Sequence, residues 1–257
     1  MTPIQMSYRI WPVVLLQSLF LLFLGFTLLV VSGDKLVEAS VRIARRWGVP
    51  ASVIAATIIA AGTSAPEFVT SFLAGWRGKS DIALGNLVGS NIFNILAVGG
   101  ISLTLQSKVT VASTKMPWAV LCLCTTVLYF FMQDLAITRP EGVCLGLLLV
   151  GFIFLSYGKK SGPSDDEEVD AIEPAPLSKS LVLFIISNVG LIAGAEIALR
   201  GGVSLGEWFG LTERIIAITI ISVGTGLPEL ATSIAAAYRG HGDVAIANVI
   251  GSNIFNS

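Results

Sequence analysis

Charge is scarce in this sequence. Asp, Glu, Lys and Arg together supply 13% of its 257 residues, against about 25% in a soluble domain, so the chain could not clothe a water-facing surface. A net charge of −1, with Lys and Arg scattered between apolar runs, excludes a nucleic-acid partner, which would need a basic face. Histidine occurs once, at His241, in a short loop where it is expected to be solvated. Cys122, Cys124 and Cys144 all fall in apolar stretches without Cys-x-x-Cys spacing, which argues against a disulfide framework or a zinc knuckle. No Ser–His set and no aspartates paired in facing spans are visible, so the chain is not read as an enzyme. No cofactor and no obligatory protein partner are indicated.

Apolar sequence is what is abundant, at 54% of residues. The run at residues 11–31 has no A-x-A-like cleavage site after it. It is long enough to cross a bilayer core, which takes about 20 residues, and is read as a retained transmembrane helix. Seven further spans are expected at 52–76, 82–105, 116–132, 143–157, 180–199, 215–238 and 244 to the end. The fold class is therefore an all-α integral membrane protein, with about eight helices here. Placing the N-terminus outside puts ten of the 16 Lys and Arg residues on the cytoplasmic side, in keeping with the bias of basic residues toward that face. Residues 161–179 contain Asp165, Asp166, Glu167, Glu168, Asp170 and Glu173. They lack the ligand spacing and turn glycine of an EF-hand and read as a solvated acidic cytoplasmic linker. That linker separates a first half, residues 1–160 with five spans, from a second half, residues 180–257.

The two halves are copies. Residues 62–94, GTSAPEFVTSFLAGWRGKSDIALGNLVGSNIFN, align without a gap to residues 224–256, GTGLPELATSIAAAYRGHGDVAIANVIGSNIFN, at an offset of 162 with 18 of 33 positions identical. Corresponding spans lie five apart in the chain, an odd number, so the copies must be inverted in the membrane. Inverted repeats with interrupted helices are the build of many secondary transporters, whose site lies where the repeats meet near the midplane. The first copy continues for about 60 residues beyond its motif, so the reading expects a C-terminally truncated chain and ten helices, five per repeat, in the complete protein.

Glu67 and Glu229 occupy equivalent places within apolar spans, each directly after a proline. An ionisable group at that depth marks an ion or proton pathway. Pro66 and Pro228 lack an N–H and interrupt their helices, and irregular backbone at membrane depth is tolerated only where something satisfies it. Thr63, Thr70 and Ser71 share a helix face with Glu67, and Thr225, Thr232 and Ser233 share one with Glu229. On the next helix Ser90 and Asn94 are four apart, as are Ser252 and Asn256, while Asn91 and Asn253 point elsewhere and suit bonds between helices. Gly85 with Gly89, and Ala247 with Gly251, form small-xxx-small pairs expected to admit close helix packing. The donors are carboxylate, hydroxyl, amide and backbone oxygens, which suit hard cations such as calcium and sodium rather than zinc or copper. Two carboxylates match one divalent ion or more than one monovalent ion. Glu196, four before Arg200, and Asp34 in the matching place of the first half read as structural.

The paired GTSAPE and GTGLPE motifs, each followed by GSNIFN, resemble the α-repeats of the cation/calcium exchanger superfamily, in particular its prokaryotic sodium/calcium exchanger-like members. The resemblance implies two long, tilted gating helices at spans one and six. It implies that calcium and sodium compete for sites made by Thr63, Ser64, Glu67, Ser90 and Asn94 with Thr225, Glu229, Ser252 and Asn256. The carbonyls of Ala60 and Ser222 match positions that contact sodium in that family. Two departures stand out: Gly226 replaces a usual serine, removing one hydroxyl, and Asn256 stands where some relatives carry aspartate. Proton-coupled relatives favour GNxxE, which ranks a calcium/proton antiporter second and a cation channel third. The expectation is a sodium/calcium antiporter, multi-pass in the bacterial inner membrane, with calcium, sodium and membrane lipid as its partners.

Overall fold

The computed structural model describes residues 3–78, 80–105, 115–134, 137–157, 175–212 and 222–257. Most of the acidic linker, and residues 213–221 leading into the second copy, lie outside the described residues, as do the side chains of residues 3–12, 74, 80–82 and 222. All regular structure among the described residues is helical. Helix α1 is Pro3–Trp47, and α2, Ala51–Thr63, is followed after a bend of 46° by α3, Ala65–Trp76. Helix α4, Ser80–Phe93, runs on through a widened π-helical turn at Asn94–Gly99 and a further segment at Gly100–Leu105. Then come α5 (Lys115–Phe131), α6 (Arg139–Tyr157) and α7 (Leu177–Trp208). The second copy supplies α8 (Ser222–Thr225), α9 (Leu227–Tyr238) and α10 (Gly242–Phe255).

Five of these helices are long and apolar enough to cross a membrane, and the bent α2–α3 pair makes a sixth. The two remaining expected spans fall on α9 and α10, of 12 and 14 residues. Large apolar side chains on the outer faces, among them Phe23, Val143, Leu147 and Phe154, are exposed. That pattern fits a protein whose surface meets lipid rather than water.

Helix α1, of 45 residues, and α7, of 32, are the two longest, at spans one and six. At 1.5 Å per residue α1 is about 67 Å long, more than twice the thickness of a hydrocarbon core of about 30 Å. They pack on each other so tightly that a Cβ on Gly25 would lie 2.5 Å from the backbone nitrogen of Ala198, and one on Gly201 2.8 Å from the carbonyl of Ser18. Further along, Ser32 meets Gly190. Numbers rise along α1 as they fall along α7, so the two repeat-related helices are antiparallel, as inversion requires. The interface uses small residues because lipid-embedded helices associate through close backbone approach.

The repeats match in backbone detail. Ser64, at the bend, has φ −82° and ψ 4°, and its mate Gly226 has φ −85° and ψ 2°. The turns after α3 and α9 are closed by Gly78 at φ 70° and Gly240 at φ 82°, the left-handed conformation that ends a helix at little cost only in glycine. Each copy's second helix packs on the other copy's broken helix: α10 on α2, and α4 on α8.

Of three local expectations, one is met, one turns on a counterpart outside the described residues, and one needs correction. A Cβ on Gly251 would meet the carbonyl of Ala56, so the second small-residue pair does admit close packing. Gly85 and Gly89 have no described atom within 4 Å of an added Cβ, and the symmetry mate of Ala56, residue 218, lies outside the described residues. His241 is not solvated but 4% exposed; the loop folds under, with its N–H bonded to the carbonyl of Ala236. Burial holds its imidazole below the ordinary value, and Arg239 and Arg45 act in the same direction. Thermal unfolding in detergent tests the α1–α7 contact: Gly25→Leu is expected to destabilise by about 1–3 kcal/mol through overpacking.

Candidate ion-binding site

The proline that interrupts each helix also begins the next one. Pro66 and Pro228 sit in the first turns of α3 and α9, where a missing N–H removes nothing from the helix ladder. Glu67 and Glu229 follow in those same first turns. Both carboxylates therefore lie at the positive end of a half-helix, the place where the peptide dipoles favour an anion. Inversion aims the two half-helices toward a common centre.

Both glutamates are buried there, Glu67 at 2% exposure and Glu229 fully. Ser64 Oγ, from the first copy, donates to Glu229 Oε1 at 2.8 Å. Asn256 Nδ2 donates to Ser90 Oγ at 3.1 Å, across the repeats in the other direction. Around this centre Thr63, Ser64, Ser90, Asn94, Ser252 and Asn256 are all buried. Asn94 opens the π-helical turn of α4, and a second π-helical turn, Ala55–Ile59, lies within α2; such turns occur frequently at functional sites.

The polar atoms there are not satisfied by the described residues. Among those residues, both carboxylate oxygens of Glu67, Oε2 of Glu229, the amide group of Asn94 and the hydroxyl of Ser252 are buried without a hydrogen-bond partner. A buried polar group without a partner costs about 1–3 kcal/mol, and more when charged. Native interiors hold few such groups. Here five atoms or groups converge from both repeats next to two acids. A cavity of about 270 Å³, lined by Glu67, Ser71, Asn86, Ser90 and Asn256 among others, adjoins them. The donor set is oxygen-rich, and among the described residues no three His, Cys, Asp or Glu side chains cluster. The chemistry offered is that of a dehydrated hard cation.

The remaining expected residues divide. Thr225 is half-buried. The Ala60 carbonyl accepts the Ser64 N–H at 2.9 Å and the Thr63 hydroxyl at 3.4 Å. Ser222 is the first residue of α8, its side chain outside the described residues. The threonine stripe is corrected: Thr70 and Thr232 turn their hydroxyls back to the carbonyls of Pro66 and Pro228, each at 2.8 Å. Ser71 and Ser233 are likewise taken, because Asn86 Nδ2 donates to Ser71 at 2.9 Å and Asn248 Nδ2 to Ser233 at 3.0 Å. These matched asparagines clamp each glutamate-bearing helix to its successor, and sequence reasoning passed over them. Their identity between the copies, at an offset of 162, was the available signal. Of the two other asparagines, Asn91 reaches Ser257 at 3.4 Å, and Asn253 is buried with its amide unpartnered.

A difference between the copies is built into the site. Gly226 is the mate of Ser64, and a Cβ there would lie 2.5 and 2.6 Å from ring carbons of Phe93. Aromatic surface therefore fills the place where the first copy presents a hydroxyl.

The family model for sodium/calcium exchanger proteins matches residues 17–158 and 179–257. The chain belongs to the sodium/calcium exchanger family. Among its relatives, the inner membrane protein YrbG of Escherichia coli is 31% identical over 255 residues, covering 94% of this chain and 77% of that protein. The sodium/calcium exchanger MaX1 of Methanosarcina acetivorans is 27% identical over 279 residues, covering 93% and 80%. The solved structure of the sodium-calcium exchanger NCX_Mj, soaked with sodium and strontium, superposes with a TM-score of 0.82 at 32% identity, over 94% of this chain and 79% of that one. MaX1 and NCX_Mj are ion exchangers rather than enzymes, and this member of the family is a multi-pass membrane protein of cation/calcium exchange. Removing a clamp tests the geometry around the acids. Asn248→Ala is expected to cost about 0.6 to 1.7 kcal/mol, the range of hydrogen bonds between membrane helices. The half-buried Asn86→Ala should cost less, both read by thermal unfolding in detergent.

Proposed function

We propose that the protein is a sodium/calcium antiporter in which Glu67 and Glu229 are shared ligands, calcium leaving as sodium enters by alternating access. One observation carries this reading: unpartnered buried oxygens from two inverted repeats converge between two carboxylates. An empty site carrying two negative charges is unfavourable to move through a low-dielectric barrier, so the carrier changes state only when loaded. That coupling separates an exchanger from a channel. Thr63, Ser64, Ser90, Asn94, Thr225, Ser252 and Asn256, with the carbonyls of Ala60 and Ser222, complete the coordination, shared between calcium and sodium. Because Phe93 stands where a hydroxyl of residue 226 would reach, one sodium position has an oxygen fewer on that side.

The halves 1–160 and 180–257 act as the inverted units, and 161–179 joins them on the cytoplasmic side. The membrane is the bacterial inner membrane, in line with the name of the Escherichia coli relative. Inverted vesicles carrying the protein should take up calcium when a sodium gradient is imposed, and Glu67→Gln should reduce that uptake to background. Unchanged uptake in the variant contradicts the assignment. Uptake that ignores sodium and follows a pH gradient identifies a calcium/proton antiporter, and flux without a counter-ion identifies a channel.

A further inference from the structure

Helix α1 bears a group of acids away from the ion site. Asp34 Oδ1 accepts from Arg239 Nε at 2.5 Å, and Arg239 Nη2 lies 3.7 Å from Glu38 Oε2. Lys35 and Arg42 hold the same Glu38, at 2.8 and 2.7 Å. Arg239 directly follows α9, the half-helix whose other end carries Glu229. Below the ion pair the backbones of α1 and α9 approach closely: a Cβ on Gly33 would stand 3.0 Å from the carbonyl of Ala231. Helix α9 is thus held against α1 at two points, the Gly33–Ala231 approach and the Asp34–Arg239 pair, with an apolar cavity of about 420 Å³ beside them.

The repeat supplies a second set of the same parts. At the offset of 162, Asp34 maps to Glu196, Glu38 to Arg200, Gly33 to Ala195 and Ala231 to Val69, while Arg239 maps back to Arg77. In this half the parts are separated. Glu196 pairs with Arg200 on its own helix at 2.7 Å, and Arg77 is exposed. Helix α3 packs chiefly on α4 rather than on α7, and Phe68, Val69, Phe72 and Trp76 along it are exposed. One half-helix is closed on its long partner; the other stands off.

We propose that Asp34 and Arg239, supported by Glu38, form a charge latch that shuts one face of the ion site, and that Glu196 with Arg77 is its counterpart, engaging when the opposite face shuts. The two latches are unequal by composition. Arg239 meets two acids, whereas Arg77 would meet one acid and Arg200, which repels it. The residues beneath are unequal as well: Gly33 lies against Ala231 in one copy, whereas their counterparts Ala195 and Val69 are bulkier and Val69 is exposed. The structure therefore rests with the α1–α9 side closed, and the long helices α1 and α7 carry one half of each latch. This inference rests on the alternating-access reading above.

The test compares apparent calcium affinity from the two sides of sealed, singly oriented vesicles containing the full protein. Asp34→Asn frees α9 from α1. It is expected to shift the ratio of the two affinities by about three- to fivefold, the scale of a partly exposed ion pair. Glu196→Gln should move the same ratio in the opposite direction by a smaller factor, because Arg200 already weakens that latch. Exchanging the charges, Asp34→Arg with Arg239→Asp, should return the ratio toward that of the unaltered protein, which a general loss of stability would not do. A ratio unmoved by Asp34→Asn, a shift of the same sign in both variants, no shift in Glu196→Gln, or no recovery in the exchanged pair each overturns the paired latch. Absence of sodium-driven calcium flux in the unaltered protein would instead remove the antiport reading beneath it.

Discussion

Two carboxylates share one buried place, and the rest of the fold answers to that. Like charges at short range in a low-dielectric interior cannot both stay ionised unless something of opposite sign lies between or beside them. The protein supplies part of the answer itself. Interrupting α2–α3 at Ser64 and α8–α9 at Gly226 gives two helix starts, and each places its positive dipole end on a glutamate. The remainder falls, in the proposed reading, to a mobile cation, because the oxygens around the acids lack partners among the described residues.

Inversion of the repeat makes this arrangement possible. A single copy offers one acid, one bend and one GSNIFN helix, all facing a common side. Joined to its inverted twin, it surrounds the centre from both halves of the membrane, with α10 packed on α2 and α4 on α8. Yet the copies are not interchangeable. Ser64 donates to Glu229, while Phe93 occupies the corresponding place beside Gly226. Asn94 is unpartnered where Asn256 spends its amide on Ser90. Glu229 therefore sits in a hydrogen-bonded setting and Glu67 in a bare one, so a bound cation would neutralise more of Glu67 than of Glu229.

Much of this was legible before any coordinates. The gap-free repeat, the odd spacing of its spans and the proline beside each glutamate led to inversion and interrupted helices, and the long helices fell at spans one and six. What misled was local geometry. Thr70, Thr232, Ser71 and Ser233 lie on the expected face, but a hydroxyl in a helix readily bonds a carbonyl four residues back, and two asparagines on the following helix claimed the serines. His241 looked like a loop residue, and nothing in its neighbours' identities announced that the turn tucks beneath α9. Side-chain direction within a correctly placed helix is settled by competing acceptors and by neighbours distant in sequence, and composition does not encode either.

The most direct measurement is a crystal structure of the protein soaked in strontium, a heavier stand-in for calcium, with its anomalous scattering recorded. The account predicts one peak lying within about 2.3–2.6 Å of carboxylate oxygens from both glutamates, the distance range of calcium–oxygen ligation, and its loss when sodium replaces strontium. A peak bound by only one of the two acids, or density confined to the outer charged groups with the centre left bare, would contradict it.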